Sequence, residues 1–190
     1  MITEMDVSIL LFVQEHLRTE VFNEIWKFIT HLGDDGLIWI ALGVVLLFFK
    51  KTRPAGFAVL AALLIHELVN NTILKNLVAR PRPFLVCEEL VPLISKPSSY
   101  SFPSGHTSSS FAAAMALYLG TSKKAGIPAL VLAALIGLSR IYVGVHYPTD
   151  VLAGAALGIA AGFAATCLVR HVQKLLQEKH RKKAEENAPL

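Results

Sequence analysis

Charged residues and cysteines are both scarce in this sequence. Only 17% of its 190 residues are charged and 54% are hydrophobic, whereas soluble domains carry about 25% charged residues. Two cysteines, Cys87 and Cys167, are too few for a disulfide scaffold or a cysteine-rich zinc site. The net charge of +4 is modest, and the absence of a basic face interleaved with aromatic residues argues against a nucleic-acid partner. High hydrophobicity excludes disorder. The class that remains is an integral membrane protein.

Long apolar runs dominate the chain and predict its fold. A helix needs roughly 20 apolar residues to cross a bilayer. Four runs approach that length, at 54–74, 102–120, 127–145 and 151–169. A fifth run, 36–49, reaches it only when extended back through Ile29, which places Asp34 and Asp35 near one interface. We therefore expect an all-α integral membrane protein, a bundle of five transmembrane helices with six as the alternative, in a single membrane-embedded domain over residues 1–173.

The N-terminal segment lacks the basic start of a secretory signal. Its apolar residues instead recur at helical spacing: Met5, Ile9, Leu10, Val13 and Leu17. This spacing predicts an amphipathic helix that lies at the membrane interface, or equally a helix that packs on the bundle.

Lysine and arginine are distributed unevenly between the predicted loops. If five spans alternate, three basic clusters fall on one side: Lys50 to Arg53, Lys123 with Lys124, and the tail that begins with Arg170. Basic loops face the cytoplasm, so residues 174–190 are expected to form a basic cytoplasmic tail in a plasma-membrane protein. The opposite, extracytoplasmic side then carries four basic residues: Lys75, Arg80, Arg82 and Arg140. Charge near a membrane is costly and usually functional.

Three segments on that outer side carry candidate chemistry. In the first, Lys75 and Arg82 share a helix face, and Arg82 follows a helix break at Pro81; both side chains suit phosphate oxygens. Arg80 falls outside this pattern and is expected to be a surface or lipid-facing charge. In the second, Ser104 is a good helix N-cap, and the first turn it begins is a ready anion site. Gly105 allows the backbone to approach that anion closely.

The third segment contains Arg140, His146 and Asp150. Pro148 suits the first turn of a helix, which places His146 just before the helix and Asp150 inside its first turn. A carboxylate that binds one imidazole nitrogen leaves the other nitrogen basic. With His106 contributed by another helix, the combined set of cations, histidines and a carboxylate indicates a site for a phosphate ester.

These residues resemble a known signature. Three segments are similar to the three-part motif of the type 2 phosphatidic acid phosphatase superfamily: Lys75-x6-Arg82-Pro83, Pro103-Ser104-Gly105-His106 and Ser139-Arg140-x5-His146-x3-Asp150. The resemblance implies that His146 attacks phosphorus to give a phosphohistidine, that Asp150 orients it, and that His106 protonates the leaving oxygen and then activates water. It implies that Lys75, Arg82 and Arg140, with Ser104 and Gly105, bind the phosphate, and that no metal or other cofactor is required.

The expected function is therefore hydrolysis of a lipid phosphomonoester or diphosphate, with undecaprenyl diphosphate as the first candidate substrate. Phosphatidylglycerophosphate or phosphatidate is the alternative, and an anion transporter or a non-catalytic lipid-phosphate binder is a more distant one. The expected partners are this lipid and the bilayer; the oligomeric state is open. Glu67 is expected to have a structural role, either pairing with a polar group in the bundle or supporting Lys75 from the same helix face. The ridge of Gly154, Gly158 and Gly162 predicts close helix packing within one subunit, with dimerisation as the alternative. His16, His31 and His66 are expected to have no functional role.

Overall fold

The computed structural model describes the backbone of residues 2–186 and the side chains of residues 4–185. Within that part of the chain all regular structure is helical, as predicted. The α-helices are α1 (Ile2–His16), α2 (Glu20–His31), α3 (Leu37–Leu47), α4 (Arg53–His66), α5 (Lys75–Val78), α6 (Pro83–Val86), α7 (Gly105–Gly120), α8 (Lys123–Tyr142) and α9 (Pro148–Glu186). A π-helix, Glu67–Leu74, joins α4 to α5, and a 3-10 turn, Asp34–Gly36, precedes α3.

Three described helical stretches are long and apolar enough to cross a bilayer: Arg53–Val86, Lys123–Tyr142 and Pro148–Glu185. The pair formed by α2 and α3 passes the same test as a single span with a 43° bend. Helix α7 has only 16 residues, which is short of the roughly 20 that span hydrocarbon. The all-helical membrane class is confirmed, with three spans or four by length and composition.

Helix α7 lies at the centre of the bundle. Its alanines Ala112, Ala113 and Ala114 are completely buried, and it packs against α4, α8 and α9. The glycine ridge of α9 faces it: a Cβ on Gly154 would lie 2.7 Å from the carbonyl oxygen of Ser104. Small residues on both helices thus bring the backbones together, since lipid offers no hydrophobic drive for association. The prediction that this ridge packs within the bundle is confirmed.

The helices alternate in direction, so the bundle has two distinct ends. At one end α7 finishes beside the start of α4, where a Cβ on Gly120 would lie 2.9 Å from Cβ of Ala55, and Arg170 donates to the carbonyl oxygen of Leu119 at 2.6 Å. The three basic clusters, Lys50 to Arg53, Lys123 with Lys124, and the tail from Arg170, lie at this end of the bundle. The other end gathers the end of α8 and the starts of α7 and α9. The predicted site and the basic clusters therefore lie at opposite ends of the molecule.

The N-terminal segment folds onto the site end. Helix α1 forms where helical spacing predicted it, and it buries Leu10 and Asp6 against the region where α8 leads into α9. Its position relative to a membrane surface stays a prediction. At the other terminus, residues 174–186 of the predicted tail continue α9, while residues 187–190 lie outside the described residues.

Candidate active site

A cavity of about 790 Å³ opens at the site end of the bundle. Six of the eight predicted site residues line it: Lys75, Arg82, Gly105, His106, Arg140 and His146. Ser104 and Asp150 are fully buried and lie behind its wall. Residues separated by up to 71 positions in the sequence therefore meet around one space, as the motif spacing predicted.

His146 lies in the short loop between α8 and α9 and is buried. Its Nε2 is 3.1 Å from Nη1 of Arg82, and its Nδ1 is 3.4 Å from Oδ2 of Asp150. A guanidinium can only donate, so Nε2 accepts and Nδ1 carries the proton. Burial lowers the pKa of His146 to about 3, outweighing the hydrogen bond with Asp150, which raises it. The imidazole is therefore neutral, and the lone pair of Nε2 lies at the cavity.

Asp150 is held by three donors behind His146. Its Oδ2 accepts from the hydroxyl of Ser101 at 2.5 Å and from the backbone N–H of Tyr147 at 3.0 Å, and its Oδ1 accepts from Arg80 at 2.6 Å. These contacts satisfy an ionised carboxylate that has no exposure to water. Asp150 is thus fixed as an anion beside Nδ1 of His146.

Arg80 contradicts its prediction as a surface or lipid-facing charge. Its guanidinium forms ion pairs with Asp150 and, at 2.8 Å, with Asp6 of α1, and it stacks 3.7 Å from the ring centre of Tyr147. The prediction was wrong because the helix ends sooner than assumed. Ala79 adopts φ 49° and caps α5, so Arg80 turns back into the protein.

The phosphate-binding candidates are positively charged without carboxylate partners. Arg82 is buried and donates to the carbonyl oxygens of Ser99 at 2.8 Å and Val145 at 2.9 Å. Arg140 donates to the hydroxyl of Thr30 at 2.6 Å, and its buried Nε has no partner. Within the described residues, neither arginine nor Lys75 forms an ion pair. Buried cations that lack an anion on the protein favour an anionic ligand.

The π-helix positions Lys75 next to the start of α7. The wide turn ends with the backbone N–H of Lys75 bonded to the carbonyl oxygen of Asn70, and such turns often occur at functional sites. A Cβ on Gly105 would lie 3.4 Å from Nζ of Lys75 and 3.2 Å from Oδ1 of Asn71. Asn71 in turn donates to Glu67 at 2.6 Å. Glycine at 105 therefore lets the α7 turn approach this polar row closely.

Ser104 occupies the N-cap position of α7 as predicted, although its side chain does not cap the helix. Its hydroxyl accepts from Thr107 at 2.9 Å, and its backbone N–H donates to the carbonyl oxygen of Asp150 at 3.1 Å. Ser104 thus connects α7 to α9 behind the cavity. Its contact with phosphate stays a prediction.

Sequence reasoning missed the partner of His106. Nε2 of His106 lies 2.9 Å from Oδ1 of Asp34, and Oδ2 of the same carboxylate lies 2.7 Å from Nδ1 of His31. His31, for which no functional role was expected, therefore shares a carboxylate with His106. His66 makes a structural contact, since its Nδ1 lies 3.0 Å from the hydroxyl of Ser108. The one sequence feature that pointed to the partner of His106 was the pair of acidic residues, Asp34 and Asp35, near the predicted membrane interface.

Residues 52–174 match the family model described as the PAP2 superfamily. The chain belongs to the PAP2 superfamily. All eight predicted site residues fall within the matched range, and the resemblance inferred from the motifs is confirmed. Three residues that support the site, Asp6, Thr30 and Asp34, lie before that range and belong to the N-terminal helices of this PAP2 protein.

Similar proteins and structures agree with this membership. The chain is 36% identical over 136 residues to an undecaprenyl-diphosphatase of Sulfolobus acidocaldarius, a match that covers 72% of this chain and 65% of that protein, just under two thirds of its length. It is 34% identical over 160 residues to phosphatidylglycerophosphatase B of Bacillus subtilis, covering 77% and 75%. The crystal structure of LpxE from Aquifex aeolicus superposes with a TM-score of 0.73 at 28% identity, covering 83% of this chain and 92% of that one.

Proposed function

We propose that this PAP2 protein is a membrane lipid phosphatase that hydrolyses a lipid phosphomonoester or diphosphate through a phosphohistidine. One observation carries the proposal. The neutral imidazole of His146 presents Nε2 to a cavity whose three cations, Lys75, Arg82 and Arg140, lack carboxylate partners among the described residues. This arrangement places a nucleophile beside a site suited to the phosphoryl group.

The first step forms a bond between Nε2 of His146 and the terminal phosphorus and breaks the bond from that phosphorus to the leaving oxygen. That oxygen is the alkoxy oxygen of a lipid phosphomonoester or the bridging oxygen of a lipid diphosphate. Asp150 accepts the Nδ1–H of His146 and stabilises the positive charge that the ring gains. His106 gives its proton to the leaving oxygen. Arg82, whose Nη1 donates to Nε2 of His146, transfers that donor to a phosphate oxygen. Lys75 and Arg140 bind the other oxygens with Ser104 and Gly105.

The second step hydrolyses the phosphohistidine. The now neutral His106 takes a proton from water, the water oxygen bonds to phosphorus, and the bond from phosphorus to Nε2 breaks to release inorganic phosphate. Fixed cations supply the charge stabilisation that other phosphoryl-transfer enzymes obtain from magnesium. This proposal therefore includes no step that depends on a metal.

The substrate is proposed to be a lipid because the cavity has an apolar side. Its lining includes Ile40 of α3 and Leu60, Leu63 and Leu64 of α4. A chain anchored in the bilayer could lie against them with its phosphate among the cations. Undecaprenyl diphosphate is the first candidate, consistent with the name of the Sulfolobus relative. Phosphatidylglycerophosphate is the alternative, consistent with the Bacillus relative, and phosphatidate is a third.

The proposed topology has five spans: the bent pair α2 and α3, the stretch from α4 to α5, then α7, α8 and α9. Helix α1 would lie at the interface. The basic ends of the helices and the tail would face the cytoplasm under the positive-inside rule. Because the cavity lies at the opposite end of the bundle, the active site is proposed to face the outside of the plasma membrane.

The activity can be tested with purified protein in detergent. We expect phosphate release from undecaprenyl diphosphate, phosphatidylglycerophosphate or phosphatidate in the presence of EDTA, inhibition by vanadate, and loss of turnover in His146→Ala. The matched control is His171→Ala, an exposed histidine on α9 near the basic end. Failure to hydrolyse every lipid in this panel would contradict the function, and normal turnover in His146→Ala would contradict the nucleophile.

A further inference from the structure

The carboxylate of Asp34 binds two histidines at the mouth of the cavity. Its Oδ1 lies 2.9 Å from Nε2 of His106, and its Oδ2 lies 2.7 Å from Nδ1 of His31. Both distances are those of good hydrogen bonds, and all three residues line the cavity. Asp34 precedes the range matched by the family model, and His106 is the proposed proton donor.

We infer that Asp34 is a positioning residue that orients the imidazole of His106 and stabilises its protonated form, so that His106 can give a proton to the lipid leaving oxygen. This inference rests on the proposed phosphatase function. It adds a second carboxylate and imidazole pair to the site, besides the pair formed by Asp150 and His146.

The backbone between α2 and α3 is shaped around the ring of His106. A Cβ on Gly33 would lie 2.8 Å from Cδ2 of that ring, so a larger residue there would displace it. Asp35 and Gly36 then adopt left-handed conformations with φ of 51° and 65°, which non-glycine residues rarely do. A simple break between two helices would not require this close approach to a side chain of α7. The turn therefore holds Asp34 against His106.

The electrostatics of the cavity require such a partner. Lys75, Arg82 and Arg140 bind phosphate but also disfavour a further positive charge on His106, which shares their cavity. A carboxylate bonded to Nε2 opposes that repulsion and favours the imidazolium. When the bond from phosphorus to the leaving oxygen breaks, the Nδ1 proton of His106 passes to that oxygen. The Nε2 proton stays in the hydrogen bond to Asp34, which remains ionised throughout. Asp34 thus acts through His106 and not on the substrate.

The test compares two leaving groups that differ in their need for a proton. The leaving group of an alkyl phosphate is a strongly basic alkoxide unless it is protonated as it departs. The leaving group of a nitrophenyl phosphate that bears the same alkyl chain is a stable phenolate. In mixed micelles, we expect Asp34→Asn to lower kcat/KM for the alkyl phosphate by about 100-fold, the lower range of a general acid contribution. For the aryl phosphate the loss should be less than about threefold, since kcat/KM reports only steps up to departure of the leaving group.

The matched control is Asp35→Asn, which removes the same charge from the same turn at a residue that makes no hydrogen bond to His106. It should retain the kcat/KM of the unmodified protein on both substrates. Any of three outcomes would overturn the inference: an equal loss of kcat/KM on both substrates in Asp34→Asn, the same loss in Asp35→Asn, or no loss in Asp34→Asn. If the unmodified protein releases no phosphate from any substrate, the proposed function fails instead.

A second measurement uses the lipid substrate alone. If Asp34 acts through His106, adding Asp34→Asn to His106→Asn should cause no further loss of kcat/KM. A multiplicative loss in the double variant would assign Asp34 an independent role and overturn the inference, even if the aryl phosphate is not a substrate.

Discussion

Arg82 donates a hydrogen bond from Nη1 to Nε2 of His146 at 3.1 Å. This contact joins the proposed nucleophile to a guanidinium that is also proposed to bind phosphate oxygens. The same Nη1 also donates to the carbonyl oxygen of Val145, while Nε and Nη2 donate to the carbonyl oxygen and the hydroxyl of Ser99. The guanidinium plane is therefore preorganised. A nucleophile and its transition-state donor are thus fixed relative to each other before substrate arrives.

Replacing Arg82 with lysine should therefore impair catalysis although the charge is retained. A lysine ammonium cannot reproduce a planar fork that contacts two carbonyl oxygens and His146 together. We expect kcat/KM for lipid phosphate to fall about 100-fold, the cost typical of losing one preorganised donor. Arg170→Lys is the control, because Arg170 contacts a carbonyl oxygen at the opposite end of the bundle. Comparable activity in the two variants would show that the fork of Arg82 is dispensable.

The buried salt bridge between Asp6 and Arg80 predicts a structural role for α1. Asp6 is fully buried and accepts from Arg80 at 2.8 Å, from the hydroxyl of Thr149 at 2.5 Å and from its N–H at 3.1 Å. Asp6→Ala leaves these donors without their acceptor, which costs about 3 kcal/mol for a buried pair. We expect a lower Tm in detergent and faster loss of activity on heating.

Glu15→Gln is the matched control, since Glu15 is an exposed carboxylate on the same helix. Its thermal scan should overlay that of the unmodified protein. If Asp6→Ala melts at the same temperature as this control, α1 does not stabilise the site through Arg80.

The sequence predicted six of the residues that line the cavity because these six belong to three local motifs. Lys75, Gly105 and His146 lie near helix ends, and a proline or glycine signals each of these ends in the sequence. Partners from distant segments could not be found in the same way. Asp6 contacts Thr149 across 143 positions, and Thr30 contacts Arg140 across 110. No sequence repeat or motif spacing links the two residues of either pair. Such contacts depend on how the helices pack, which periodicity does not encode.

Helix positions followed hydropathy closely, but their ends did not. The run predicted at 127–145 forms α8 at Lys123–Tyr142, because the polar start of the helix carries no apolar signal. Arg80 was misplaced for a related reason: a left-handed Ala79 ended the helix where alanine ordinarily extends it. Hydropathy reports burial in the bilayer, whereas helix ends depend on single backbone conformations.

Acidification should destabilise the protein through His146. Its pKa is lowered to about 3 in the folded protein, from an ordinary value of 6.5. Below pH 6.5 the unfolded chain therefore binds a proton that the folded chain does not, and stability from this residue falls with pH until the folded value is reached. We expect Tm to drop less between pH 7.5 and pH 5 in His146→Asn than in the unmodified protein. His171→Asn, which changes an exposed histidine, should leave the drop unaltered; equal drops in all three proteins would contradict the prediction.

Gly158 should be essential for the packing of α7 against α9. A Cβ at this position would contact the carbonyl oxygen of Ser108 and lie 2.8 Å from Cβ of Phe111. Gly158→Leu must therefore separate the two helices that carry His106 and Asp150, and overpacking of this kind costs about 1–3 kcal/mol or more. We expect a low yield of folded protein, a reduced Tm and loss of phosphate release. Ala156→Leu makes a similar change at an exposed position of the same helix and should retain all three properties, since lipid accommodates the added side chain. If both leucine variants behave alike, close contact between α7 and α9 does not hold the two halves of the site together.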